Sequence, residues 1–212
     1  MKQLLLLCLL PALAIAAGDN QANERKTKQE IQGDLWQASI TAESSGDKAA
    51  ALAKMQEYAK AGGDPYLTNL RCAWLNYSQN KYDEAERFYK AAATAQHTAV
   101  SPLLGLLNIA QAQNDTAAAA KAAEVVLRVE PTNYRALMAL AWGAFQAKDY
   151  RKSGSAYQKV LVLYPEDQDA LSGAAWCAFY TGQKREAANG FLRLQSLNPN
   201  AKYLSEGLKA TR

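Results

Sequence analysis

Residues 131–167 read PTNYRALMALAWGAFQAKDYRKSGSAYQKVLVLYPED. Asn133 is a helix-capping residue, and behind it Leu137, Leu140, Ala141 and Ala144 recur at the spacing of one helix face. Lys148-Asp149 interrupts the pattern with a turn and a second cap. A second apolar series follows through Ser153 and Tyr157, and Pro165 closes the unit. The stretch reads as helix, tight turn, helix, loop.

The unit recurs. Pro131, Pro165 and Pro199 are 34 residues apart, twice over, and the same phase run backwards divides the chain into blocks 32–65, 66–99, 100–133, 134–167 and 168–201. Position 15 of the blocks is Gly46, Asn80, Asn114, Lys148 and Gly182, mostly residues that accept a left-handed helix end. Position 16 includes Asp47, Asp115 and Asp149, which are good caps for a second helix. Asp64-Pro65, Ser101-Pro102, Asn133 and Asp167 mark starts of first helices. Small residues at positions 8 and 20 allow close helix approach. Larger ones at 4, 7 and 24, such as Leu103, Leu140 and Tyr157, fill the seam.

A 34-residue helix-turn-helix of this kind resembles the tetratricopeptide repeat (TPR). The matching residues are Ala51, Ala85, Ala119 and Ala187 at position 20, Pro131, Pro165 and Pro199 at position 32, Tyr82 and Tyr150 at position 17, and the three aspartates at position 16. The usual position-4 tryptophan is replaced by Leu or by Asn69, and Gly63 and His97 stand where the first two prolines would be. The resemblance implies an all-α, right-handed superhelical solenoid of five TPR-like repeats over 32–201. Residues 202–212 form the expected C-terminal capping helix, with Tyr203, Leu204 and Leu208 covering the last repeat.

The N-terminus reads as an address. Lys2 precedes an uncharged apolar run from Leu4 to Ala17, too short to span a bilayer, ending in Ala14-Ile15-Ala16. Residues 1–17 are thus expected to be a signal peptide cut after Ala16 or Ala17. Cys8 lacks the small preceding residue that lipid attachment requires. The expected destination is outside the cytoplasm, most simply the periplasm, with secretion as the alternative and no stable membrane anchor after cleavage. Residues 18–31 have no apolar period and read as a polar leader.

Composition limits the chemistry. The chain has one histidine and three cysteines, so neither a metal nor a cofactor is expected. Net charge is +4; cleavage removes Lys2 and leaves 23 basic against 20 acidic side chains, or +3, which gives no reason to expect nucleic acid. His97 stands alone in an inter-repeat loop. Cys72 and Cys177 lie three blocks apart, beyond disulfide reach, and are expected as buried thiols. There is no phosphate-binding glycine loop and no recurrent carboxylate pair, so the expectation is not an enzyme.

The informative feature is aromatic. First helices carry Trp74-x-x-Tyr77, Asn108-x-x-Gln111, Trp142-x-x-Phe145 and Trp176-x-x-Phe179, each pair on one face. In the repeats this chain resembles, positions 2, 5, 9, 12 and 13 line a concave groove. That adds Trp36, Leu70, Leu104 and Met138 at position 5, Arg135 and Asp169 at position 2 and Tyr180 at position 13 to the candidate site, with Asn108 and Gln111 mid-groove to bond an extended peptide's backbone. The alternative is that the rings pack between first helices. Arg71, Asn108 and Arg135 are too few for the family's carboxylate clamp. The reading is an exported protein-interaction module that binds a hydrophobic or aromatic protein segment and scaffolds an envelope complex. The alternative is a homo-oligomeric structural component whose groove is covered by its own leader or by a second copy.

Overall fold

A computed structural model describes residues 26–212. The expected signal peptide, Cys8 and most of the expected leader lie outside them. The described residues form eleven helices: α1 (Lys28–Ser44), α2 (Lys48–Lys60), α3 (Pro65–Tyr77), α4 (Tyr82–Ala95), α5 (Val100–Ala112), α6 (Thr116–Val129), α7 (Tyr134–Gln146), α8 (Tyr150–Leu163), α9 (Gln168–Tyr180), α10 (Lys184–Leu197) and α11 (Leu204–Ala210). Each helix packs on the next, and first helices also touch across repeats, α3 on α5, α7 on α9 and α9 on α11. This is a helix-turn-helix solenoid.

The turns follow the residues at position 15. Gly46, Asn80, Asn114, Lys148 and Gly182 all have positive φ, between 57° and 87°. Lys148 holds the left-handed conformation at φ 60° without the tolerance of glycine or asparagine. Next to them, Asp47, Asp115 and Asp149 accept hydrogen bonds from the backbone N–H three residues on, while Lys81 and Gln183 leave their helices uncapped.

Two boundaries differ from the sequence reading. Helix α1 begins at Lys28, inside the expected leader, because Thr27 and Glu30 form a capping box: Thr27 Oγ1 accepts from Glu30 N–H, and Glu30 accepts from Thr27 N–H. Helix α5 begins at Val100 behind an uncapped Ala99, so Ser101 and Pro102 lie in its first turn and Ser101 is not the cap.

Between repeats, the side chain at position 24 meets position 6 of the next block. A Cβ built on Gly105 would lie 2.3 Å from the Tyr89 ring, on Gly173 2.3 Å from Tyr157, and on Gly207 2.4 Å from Phe191. Where position 24 is the small Ala123, position 6 is Ala139. Ring and glycine are therefore matched in volume across the interface. The last of these pairs docks α11, whose Leu204 and Gly207 are buried. Tyr203 does not cover the end as expected: it is 55% exposed at φ 61°, because it turns the chain into α11 rather than packing under it.

Cys72 and Cys177 are buried and unpaired. Burial pushes the Cys72 thiol up to about 11 and the Cys177 thiol upward as well. Ser153 occupies the small position 20 of its block. Its hydroxyl donates to the Ala141 carbonyl at 2.8 Å and accepts from Cys177 Sγ at 3.2 Å.

Candidate functional site: an aromatic groove in the C-terminal half

First helices α7 and α9, the loop before α11 and the end of α5 enclose an open groove of about 990 Å³. Eight of the expected residues line it: Gln111, Arg135, Met138, Trp142, Phe145, Asp169, Trp176 and Tyr180. Position 9 turns both indoles to the same side of adjacent helices, and short turns before α8 and α10 keep those helices in register. The rings form one connected set. Trp142 lies parallel to Phe145 at 6.1 Å, Phe145 meets Tyr180 edge-on at 6.0 Å, and Tyr180 stacks on Trp176 at 5.9 Å and on Tyr150 at 4.5 Å. Trp142 is 50% exposed and Tyr180 49%, whereas Trp176 is anchored edge-on against buried Phe191 at 5.1 Å.

Seven expected residues fall outside the groove, among them Trp36, Leu70 and Leu104, which pack against apolar clusters between the helices. Asn108 does not line the groove; its Oδ1 accepts from Nη2 of Arg135, which does. Phe179 turns into the apolar cluster around Leu171, Ala175, Phe191 and Leu194. Tyr77 packs against the cluster of Ala73, Ala85, Tyr89 and Ile109. Trp74 is exposed, but its indole N–H donates to Glu43 Oε1 at 2.8 Å and its ring stacks on Tyr77. Glu43 is in turn 2.7 Å from Arg71 Nη2 as an ion pair, off the line of a hydrogen bond. Arg71 Nε donates to buried Ser39 Oγ at 3.3 Å, and its guanidinium lies over Trp36. This network occupies the first-helix face in the N-terminal half.

The groove also has walls that the expected site did not include: Tyr134, Gln168, Ser172, Asn198, Asn200, Lys202 and Tyr203 among them. Tyr134 donates to Asp167 Oδ2 at 2.8 Å; partial burial and that carboxylate push its hydroxyl up to about 12. Lys202 Nζ sits 4.7 Å from the Tyr203 ring centroid. A signal for Tyr203 was present. Carrying the 34-residue phase into a sixth, partial block puts it at position 2, with Arg135 and Asp169, and puts Gly207 at position 6. His97 is exposed in a turn. Among the described residues no cluster of His, Cys, Asp and Glu could hold a metal ion, and no helix is long and apolar enough to cross a membrane.

The tetratricopeptide-repeat family matches residues 169–201, which take in most of α9 and all of α10. No curated protein matches the chain in sequence. Solved structures match its shape. A tetratricopeptide repeat protein from Parabacteroides merdae aligns with TM-score 0.69 at 20% identity, covering 86% of this chain and 72% of that one. A crystal structure of MamA aligns at 0.67 and 16%, covering 81% and 93%. YrrB, described as a TPR protein with an unusual peptide-binding site, aligns at 0.67 and 12%, covering 87% and 98%. The chain thus carries the fold of a tetratricopeptide solenoid.

Proposed function

We propose that this protein is an exported, non-catalytic adaptor that holds an apolar, aromatic-bearing segment of another protein between α7, α9 and the Lys202–Tyr203 corner, and so scaffolds an envelope complex. The observation that carries this is the connected aromatic set left half-exposed inside an open groove. Peptide binding by the similarly folded YrrB is consistent with it. Export rests on the sequence of residues 1–17 alone.

Magnitude sets the strength. Covering the exposed halves of Trp142, Tyr180 and Tyr203 removes on the order of 300 Å² of mostly apolar surface from water. At about 25 cal/mol/Å² this contributes about 7–8 kcal/mol. Association costs about 4–15 kcal/mol, so at most about 3–4 kcal/mol remains and apolar contact alone gives millimolar binding at best.

Selection from a random peptide library on the full chain tests the reading. The expected result is enrichment of aromatic residues, lost when both Trp142→Ala and Tyr203→Ala are introduced while helicity is kept. Enrichment unaffected by the pair would move binding off the groove. Cell fractionation with N-terminal sequencing tests export; a chain retaining Met1 in the cytoplasm would refute it. A second reading, self-association, has its own observation. Val162 is 79% exposed, and Leu192 and Tyr164 are also exposed outside the groove. Light scattering separates the two, because a strict monomer at high concentration excludes it.

A further inference from the structure

We infer that the segment taken by this groove is acidic at its two ends and aromatic at its centre; this rests on the peptide reading above. Three charged side chains line the groove, Arg135, Asp169 and Lys202. None of them is in an ion pair among the described residues. They stand in order on successive first-helix positions: Arg135 on α7, Asp169 on α9, and Lys202 just before α11. Neighbouring packed helices are about 8–10 Å apart, so the two cations are about 20 Å apart with the anion between them. Six residues of extended chain span that distance at about 3.3 Å each.

The hydrogen-bonding groups point the same way. Asn108 fixes Arg135 through one guanidinium nitrogen and leaves its other N–H groups to the groove. Trp74 spends its indole N–H on Glu43, whereas the indole N–H groups of Trp142 and Trp176 make no hydrogen bond among the described residues. Gln168 Oε1 accepts from Asn198, so this amide presents its remaining donors. These groups present donors to the groove, and a ligand rich in carboxylate and carbonyl oxygen complements them. Asp169, on the middle helix, disfavours a carboxylate at the centre, where the aromatic floor lies. The matched pattern is acid, neutral aromatic, acid, over about six residues.

The test uses four blocked seven-residue peptides with the full chain, read by tryptophan fluorescence and calorimetry. One has aspartates at both ends and a central phenylalanine; one replaces the aspartates by lysine, one replaces them by serine, and one places an aspartate at the centre. The expected result is at least tenfold tighter binding of the acidic-ended peptide than of the lysine peptide at low salt, falling toward equality at about 0.5 M salt as charges are screened. Arg135→Gln with Lys202→Gln should abolish that preference by lowering the acidic-ended peptide's affinity far more than the serine peptide's, with circular dichroism confirming the fold. Equal or reversed preference, a preference surviving both substitutions, or tight binding of the centrally acidic peptide would overturn the charge pattern while leaving the peptide reading intact. Failure of every peptide together with binding of a chitin hexasaccharide would overturn both, and would replace the protein segment by a glycan.

Discussion

Gly173→Ala should destabilise this solenoid although it improves the helix that carries it. Glycine inside a helix costs about 1 kcal/mol relative to alanine, so propensity alone favours the change. The new Cβ, however, would lie 2.3 Å from Cε2 and Cζ of Tyr157. Carbon atoms rest at about 3.5–4.0 Å, so ring and helix must part by more than about 1 Å. Tyr157 is buried between α8 and α9 with Leu137, Ala156 and Val160 around it. Overpacking of this kind costs about 1–3 kcal/mol, and this contact belongs at the upper end. The net loss is about 1–2 kcal/mol. Because each repeat is held only by its neighbours, the loss falls on one interface and should loosen α9–α11 from the remainder. Urea unfolding followed at 222 nm should show a lower midpoint with a shallower or split transition. Gly33→Ala is the control: it lies in helix α1 with nothing within 4 Å of its added Cβ, and should gain about 1 kcal/mol. In Gly173→Ala, adding Tyr157→Leu should recover stability, with a coupling energy above about 1 kcal/mol. A Gly173→Ala protein as stable as the parent would refute the volume-matching argument.

Three further outcomes follow from local structure. Lys148→Gly should stabilise by about 0.5–1 kcal/mol in thermal or urea melts: it relieves about 1–2 kcal/mol of left-handed strain and loses part of that to the freer unfolded chain. Lys81→Asn should add about 0.5–1 kcal/mol by supplying the side-chain cap that α4 lacks; asparagine avoids a third negative charge beside Asp83 and Glu84. Burial first of all holds Tyr89 and Tyr157 up to about 12. These hydroxyls ionise more readily unfolded, at about 10, so their contribution is intact below pH ~10 and is lost as pH rises toward ~12, by about 2–3 kcal/mol each. Melting temperature measured from pH 8 to 12 should be flat and then fall, and Tyr157→Phe should soften the fall.

The fold was legible because its determinants are local and periodic. A left-handed residue at position 15, an aspartate behind it and a proline near the block end each act within a few residues, so the sequence pattern carried them. The boundaries that moved had other causes. Thr27-x-x-Glu30 is a two-residue cap with no apolar period behind it to draw attention. Ser101-Pro102 looks like a cap signal, but the helix extends two residues earlier. The site was half legible. Helical spacing places Trp142, Phe145 and Trp176 on one face, but it cannot say which face residue meets a partner from another repeat. Asn108 and Arg135 are 27 residues apart, and Trp74 and Glu43 are 31 apart. Each pair is joined by side-chain reach across first helices, which a 34-residue phase alone does not encode.

The position of the groove follows from these cross-repeat pairings. Trp74 and Trp142 occupy the same place in their blocks and are similarly exposed. What separates them is the residue at position 12 of the preceding block. For Trp74 it is Glu43, a carboxylate that takes the indole proton and also pairs with Arg71. For Trp142 it is Gln111, a neutral amide that makes no such bond. A carboxylate at that place converts an aromatic face into structure, because the buried side of Arg71 would otherwise lack its counter-charge. An amide there leaves the aromatic face unspent. The same face is thus tied into the Glu43–Arg71–Trp74 network in the first two blocks, whereas in the last two Trp142, Phe145, Trp176 and Tyr180 line the groove. The change occurs at the third block, where Asn108 stands at the place of Trp74 and Trp142 and accepts a hydrogen bond from Arg135.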